Sequence, residues 1–147
     1  MSFLLYPFAI LAGALNAVQA GSNATLAKTL GQPVAAALVI AAVATTTYLA
    51  TIPFLGLSWP GQERIAQVPW WAWSGGVLGA FYILSTLFVA EKVGSATYIG
   101  LTVTAAIVAS VILDHFGLVG FEVREAGFGR IAGAGLMVVG IVLVCVF

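Results

Sequence analysis

Charge is what this sequence has least of. Five Lys or Arg and five Asp or Glu in 147 residues make 7% charged, where a soluble domain carries about 25%. With 62% hydrophobic residues and a mean hydropathy of +1.13, the chain cannot cover a globular surface with charge, so lipid must be its solvent. The net charge is zero, which leaves no basic stripe for nucleic acid. One cysteine, Cys145, rules out a disulfide framework within the chain, and with a single histidine, His115, it offers no metal-binding cluster. No Asp, Glu or His falls in the middle of an apolar run: Glu91, Asp114 and His115 sit at the ends. A proton-coupled pump usually keeps a carboxylate inside its bundle. No glycine-rich loop ending in Lys-Ser/Thr is present, so this chain uses no ATP. No nucleophile sits beside a base at a plausible depth, so no catalytic residue and no cofactor is expected.

What is present is apolar length. A spanning helix needs roughly 20 apolar residues, and five segments qualify: about 3–29, 33–57, 69–90, 96–113 and 128–147. Gly31-Gln-Pro33 breaks the first from the second, with Pro33 suited to a first helical turn. Residues 58–68 read as a loop, Glu91 to Ser95 as a tight turn, and 114–127 as a polar loop holding Gly and most of the remaining charge. Trp59, Trp70, Trp71 and Trp73 cluster around one loop, as an interfacial aromatic belt does. Val18-Gln-Ala20 has the small residues of a signal-peptidase site, but Met1 to Ala27 holds no Lys or Arg, so the first segment reads as a retained helix. The fold class expected is an all-α integral membrane protein, a single transmembrane domain over residues 1–147.

An odd number of spans puts the termini on opposite sides. Lys28 and Lys92 then fall on one side and Arg64, Arg124 and Arg130 on the other. That bias barely specifies orientation under the positive-inside rule. Two readings stay open: insertion in one fixed direction, or dual topology with antiparallel pairing.

The strongest feature is a row of amides in the first segment. Asn16, Gln19 and Asn23 stand at i, i+3 and i+7 and so share one helix face. A single amide reads best as glue to a neighbouring helix. Three on one stripe, with Ser22 and Thr25 close by, read better as the wall of a polar cavity. In the third segment Trp71, Ser74, Leu78, Tyr82 and Ser85 follow helical spacing, with Thr86 beside Ser85. In the fourth, Tyr98 and Thr102 stand at i and i+4, followed by Ala105, Ala106 and Ser110. Hydroxyls and rings on facing helices can line an amphipathic solute site, or the hydroxyls can simply bond their own i−4 carbonyls. Thr45 to Thr47 and Tyr48 carry a weaker version of the same signal. Gly75 and Gly79 have GxxxG spacing, repeated by Gly129 and Gly133 and followed by Gly135 and Gly140. Such spacing fits close helix contact, within a subunit or between two.

These stretches carry a resemblance. Gly13-Ala-Leu-Asn-Ala-Val-Gln19 leading to Asn23-Ala-Thr-Leu-Ala-Lys-Thr-Leu-Gly31, then Pro69-Trp-Trp-Ala-Trp-Ser-Gly-Gly-Val-Leu-Gly-Ala80, then Gly94 to Ser110 running into Asp114-His-Phe-Gly117, resemble the small YdcZ-like branch of the drug/metabolite transporter superfamily. The resemblance implies five spans, one inverted-repeat half of an EamA-like ten-helix transporter. It also implies a homodimer or paired heterodimer in a bacterial inner membrane, and a solute exporter or exchanger. Where the family's fourth helix often reads Gly-Gln, this chain has Ala105-Ala106, which implies a different selectivity or a partner that supplies the glutamine. The four-helix small multidrug resistance proteins are a looser match, because their first-helix carboxylate is replaced here by neutral amides.

The expected function is transport of a small neutral, zwitterionic or amphipathic solute by alternating access, through an antiparallel dimer that supplies two inverted repeats from one short chain. Asn16, Gln19 and Asn23 would hydrogen-bond the solute, Trp71, Tyr82 and Tyr98 would stack or close on it, and Ser85 and Thr102 would add donors. Asp114 and His115 read as an interfacial cap or hinge. The alternatives are a non-transporting scaffold subunit whose amides only join helices, and a channel for a small neutral solute. Dual topology makes a direct expectation: Cys145, and a cysteine placed in the Glu63 loop, are each labelled half from either side of intact cells. One-sided labelling at both sites eliminates the antiparallel homodimer.

Overall fold

The computed structural model describes residues 5–147, so the expected helix start at Phe3 lies outside the described residues. Among the described residues it is all-helical: α1 (Leu5–Leu30), α2 (Pro33–Leu55), the short α3 (Gln62–Ala66), α4 (Trp70–Val93), α5 (Ser95–Phe116) and α6 (Phe128–Val146). Four of these, α2, α4, α5 and α6, are long and apolar enough to cross a membrane. The 26 residues of α1 give length to spare, about 39 Å at 1.5 Å per residue. Its amides, serine and glycines dilute its apolarity. Large apolar side chains cover the outside, from Phe8 and Ile10 to Leu136 and Val146, and little more than alanines, Leu87, Tyr98 and Ile141 is buried. A chain built this way is stable only where its surroundings are as apolar as its surface.

The chain divides into two compact units, residues up to Glu91 and Lys92–Phe147. In the first, a two-residue link turns α1 into α2. Gly31 takes a left-handed φ of +66°, and Pro33 opens α2, where its missing N–H costs nothing. Helices α1 and α2 meet through small residues. Ala27, the fully buried Ala36 and Leu87 form the core, with Leu26, Ala37, Ile40 and Ile83 packed around it. Small side chains at that seam let backbones come close, which is how helices associate without a hydrophobic drive. Helix α4 packs on both α1 and α2. It opens with a 3-10 turn at Trp70–Trp73, and over Thr86–Ala90 it widens into a π-turn that lies against α1.

Helix α4 runs further than its charges suggest. Glu91 and Lys92 remain helical, and the break comes at Gly94, whose φ of +88° suits glycine alone. Lys28 and Glu91 sit 4.0 Å apart on the exposed ends of α1 and α4, an ion pair worth little in water. The loop after α2 is also not featureless: Gln62–Ala66 forms one helical turn, too short for periodicity to announce.

In the second unit α5 and α6 form a hairpin in which Gly100 lies directly under Ile141. The helix continues through Asp114 and His115 and stops at Gly117, with φ +61°. The Asp-His-Phe-Gly run is the fastener of this turn. The Asp114 carboxylate pairs with the Arg130 guanidinium, which also donates to the Arg124 carbonyl at 3.1 Å. The Arg124 N–H donates to the Asp114 carbonyl at 2.8 Å, and the Ala126 N–H to His115 Nδ1 at 3.2 Å. A Cβ on Gly117 would lie 2.6 Å from Val123 Cγ2, so both backbone and space demand glycine there. A charge-assisted hydrogen bond contributes about 1.5–3 kcal/mol. We therefore expect Asp114→Ala and Arg130→Ala each to lower stability by about that much, with the double variant no worse than Arg130→Ala alone, since that change already removes both the ion pair and the bond to Arg124. Denaturant titration of the full chain in detergent micelles reads the coupling.

Candidate functional site

Four side chains expected at the site come together in one cavity of the first unit. Asn16, Gln19 and Asn23 on α1 form one wall with Ala20, and Gly79, Tyr82, Ile83 and Thr86 on α4 form the other. Each wall is a helical stripe at i, i+3, i+4 and i+7. The cavity measures about 240 Å³, smaller than the roughly 300–1,000 Å³ of pockets that hold drug-sized ligands. No ionisable side chain except the Tyr82 phenol lines it. Its hydrogen-bonding capacity is thus that of neutral amides and hydroxyls.

Within the first unit the amides do not clasp neighbouring helices. Among the described residues, the side chains of Asn16, Gln19 and Asn23 take no hydrogen-bond partner. Asn16 and Asn23 are half-buried and Gln19 is exposed. Gln19 and Asn23 also face a second groove, walled by Val39, Ile40, Val43 and Ala44 of α2. The amide row therefore forms a ridge with a mixed polar cavity on one side and an aliphatic groove on the other.

Hydroxyls on the same helices behave differently. Thr25 donates to the Gly21 carbonyl at 2.9 Å, and Thr46 and Thr47 bond back to Ala42 and Val43. Thr102, at the start of α5, donates to the Tyr98 and Ile99 carbonyls at 3.0 and 3.1 Å. These are the local back-bonds that serine and threonine make in any apolar helix.

The remaining expected residues are placed elsewhere. Trp71 lies in the 3-10 turn at the start of α4, eight residues before Gly79, or about 12 Å along a helix at 1.5 Å per residue. Ser85 neighbours the cavity residues in sequence but does not line the cavity, and Tyr98 and Thr102 belong to the second unit. Thr86 takes the place expected of Ser85. Thr86 is buried and donates to the Tyr82 carbonyl at 3.0 Å, at the first residue of the π-turn. Such turns recur at functional sites because they rotate side chains out of the regular helical register. The signal that would have found Gly79, Ile83 and Thr86 is the stripe itself. Its first member is a glycine, which leaves no side chain to notice.

Comparison with known proteins decides the family. Residues 4–143 match the family described as "Putative inner membrane exporter, YdcZ". The chain belongs to the YdcZ family. Inner membrane protein YdcZ of Escherichia coli (strain K12) is 32% identical over 112 residues, which cover 72% of this chain and 74% of that protein. No solved structure matches. The YdcZ family belongs to the drug/metabolite transporter superfamily, and the protein is a multi-pass, all-helical protein of the bacterial inner membrane. The match takes in both units, the amide stripe and the Asp-His-Phe-Gly fastener.

Unpartnered amides make a measurable statement about stability. If they joined helices, replacing one would cost about 0.6 kcal/mol, the average for interhelical hydrogen bonds in membranes. We expect Asn23→Leu to insert normally and to resist denaturant in micelles at least as well as the unmodified chain.

Proposed function

We propose that this YdcZ-family protein exports or exchanges a small solute by alternating access, and that the solute is held at the amide cavity. The observation that carries this reading is the set of three amides on one cavity wall, without a hydrogen-bond partner among the described residues of their own unit. An amide in an apolar medium costs about 1–3 kcal/mol when it has no partner. A row of three has a use only if something polar comes to meet it, and a solute that pairs with the amides is that partner.

The absence of fixed charge in the cavity wall limits the solute. An ion brought there would lose its hydration with no countercharge to replace it. A neutral molecule, a zwitterion whose charges cancel, or an amphipathic molecule with a neutral polar end meets the amides on equal terms. Asn16, Gln19 and Asn23 would donate and accept, and Tyr82 would cover the solute with its ring. Trp71, Ser85, Tyr98 and Thr102 take part, in this reading, only where helices rearrange or a second copy contributes them.

The second copy follows from size and symmetry. One chain offers a cavity of about 240 Å³ between α1 and α4, and α1 would serve as a fifth span. A five-span unit paired with an inverted copy forms two repeats around a shared midplane site, the arrangement on which alternating access commonly rests. The nearly even split of lysines and arginines between the two sides favours such pairing. The antiparallel homodimer, or a heterodimer with an inverted relative, is therefore part of the proposal.

The test is flux in reconstituted vesicles. Uptake and counterflow of a panel of small neutral and zwitterionic solutes should identify transported members. Gln19→Leu or Asn23→Leu should lower their uptake at least tenfold, with insertion unchanged. A protein that moves none of them is a scaffold, and uptake without counterflow makes it a channel. Full uptake by both variants removes the amide cavity as the site.

A further inference from the structure

We propose that Gly79 sets the size limit of the solute: it is the low point in the α4 wall, and the space it leaves is space the solute occupies. This inference rests on the amide cavity being the solute site. A glycine inside a helix has a cost of about 0.8–1.0 kcal/mol relative to alanine, so its presence needs a reason. Three reasons are ordinary; the structure removes the first, and the second within the first unit, and the experiment below separates contact with a second copy from the third. The first is backbone conformation, and Gly79 is not among the glycines with positive φ. It sits within the regular helical stretch Ser74–Ser85. The second is close approach of a neighbouring helix. A Cβ built on Gly79 meets nothing within 4 Å, in contrast to Gly100, whose Cβ would strike Ile141. The GxxxG spacing of Gly75 and Gly79 therefore marks no contact among the described residues of the first unit.

The third reason is room for a ligand, and here Gly79 differs from Gly75. Gly79 lines the amide cavity, one turn from Tyr82 and Ile83 and opposite Asn16, Gln19 and Asn23, whereas Gly75 does not line it. With large side chains already at 82 and 83, a third on the same stripe would fill a large part of about 240 Å³. Binding selectivity of this kind is steric. A site that cannot use charge to choose its ligand discriminates by shape and by the pairing of neutral polar groups.

The experiment uses the full chain in membrane vesicles and needs no knowledge of the solute. In a Cys145→Ser background, Asn16→Cys places a thiol on the α1 wall. Its reaction rates with two uncharged, water-soluble reagents, hydroxyethyl methanethiosulfonate and a glucosyl methanethiosulfonate, are measured with Gly79 present and after Gly79→Ala or Gly79→Val. The expected result is graded. The valine slows the larger reagent at least tenfold and the smaller less than threefold, the alanine falls between, and Gly75→Val changes neither rate. Equal rates for both reagents across the series, with the thiol reactive, overturn the inference about Gly79 and leave the cavity standing. An equal fall for both reagents also overturns it, because it marks collapse of the cavity or loss of a contact with a second copy. A thiol that reacts with neither reagent even with Gly79 present removes the wet cavity, and the site reading with it.

Discussion

A polar group in an apolar medium must be met by another polar group, and that requirement organises this protein. Backbone groups meet it by forming helices, which is why every apolar run among the described residues is helical and irregular backbone is confined to the polar links. Threonine hydroxyls meet it by bonding back to their own helix, at Thr25, Thr46, Thr47 and Thr102. Asp114 and Arg130 meet it by pairing, with Arg124 and Ala126 drawn in to complete the turn. The amides of α1 are the exception. An asparagine or glutamine side chain is too long and too rich in donors and acceptors to be satisfied by one carbonyl four residues back. It needs a partner from outside its helix, and among the described residues the first unit supplies none.

That exception also explains why the two units differ in character. The first is held by alanines, with Ala27 and Ala36 letting α1 and α2 approach and leaving α4 to enclose the amide cavity. The second is a hairpin closed at one end by a network of charge and backbone hydrogen bonds. A network with several members in a partly dry setting has few alternative arrangements, so it fixes geometry.

How much of this is legible in the sequence follows from what each residue type can signal. Amides in an apolar run stand out, and their spacing alone puts Asn16, Gln19 and Asn23 on one face. The α4 wall is harder to see. Reading it through its rings and hydroxyls at helical spacing gives Trp71, Ser74, Leu78, Tyr82 and Ser85. The cavity stripe is Gly79, Tyr82, Ile83 and Thr86, turned by about one residue, or roughly 100° on a helix of 3.6 residues per turn. Tyr82 belongs to both, which is why it alone of that row lines the cavity. Charges mislead in a similar way at the ends of helices. Glu91 and Lys92 read as a turn because they are charged, yet a helix ends where its backbone can leave it, at Gly94, and where Gly117 caps α5. The Asp-His-Phe-Gly run reads as a specific motif, but only the folded turn reveals that Arg130, sixteen residues away from Asp114, is its partner.

The family fixes the kind of protein this is, and in the proposed reading the amide cavity narrows what it carries. A carboxylate is the most direct means of holding a cation inside a bilayer, because a countercharge offsets the loss of hydration. The α1 face here carries amides where a carboxylate would stand, and α4 answers with a glycine, a phenol, an isoleucine and a threonine. Neutral groups cannot reward an ion, but they reward a molecule whose donors and acceptors match their own, and they penalise one that leaves them unpaired. Selectivity built this way depends on counting hydrogen bonds and on volume. If the solute binds at the amide cavity, both quantities are set by a handful of side chains on two facing stripes, and a change of one residue on either stripe retunes the solute while leaving the helices that carry it in place.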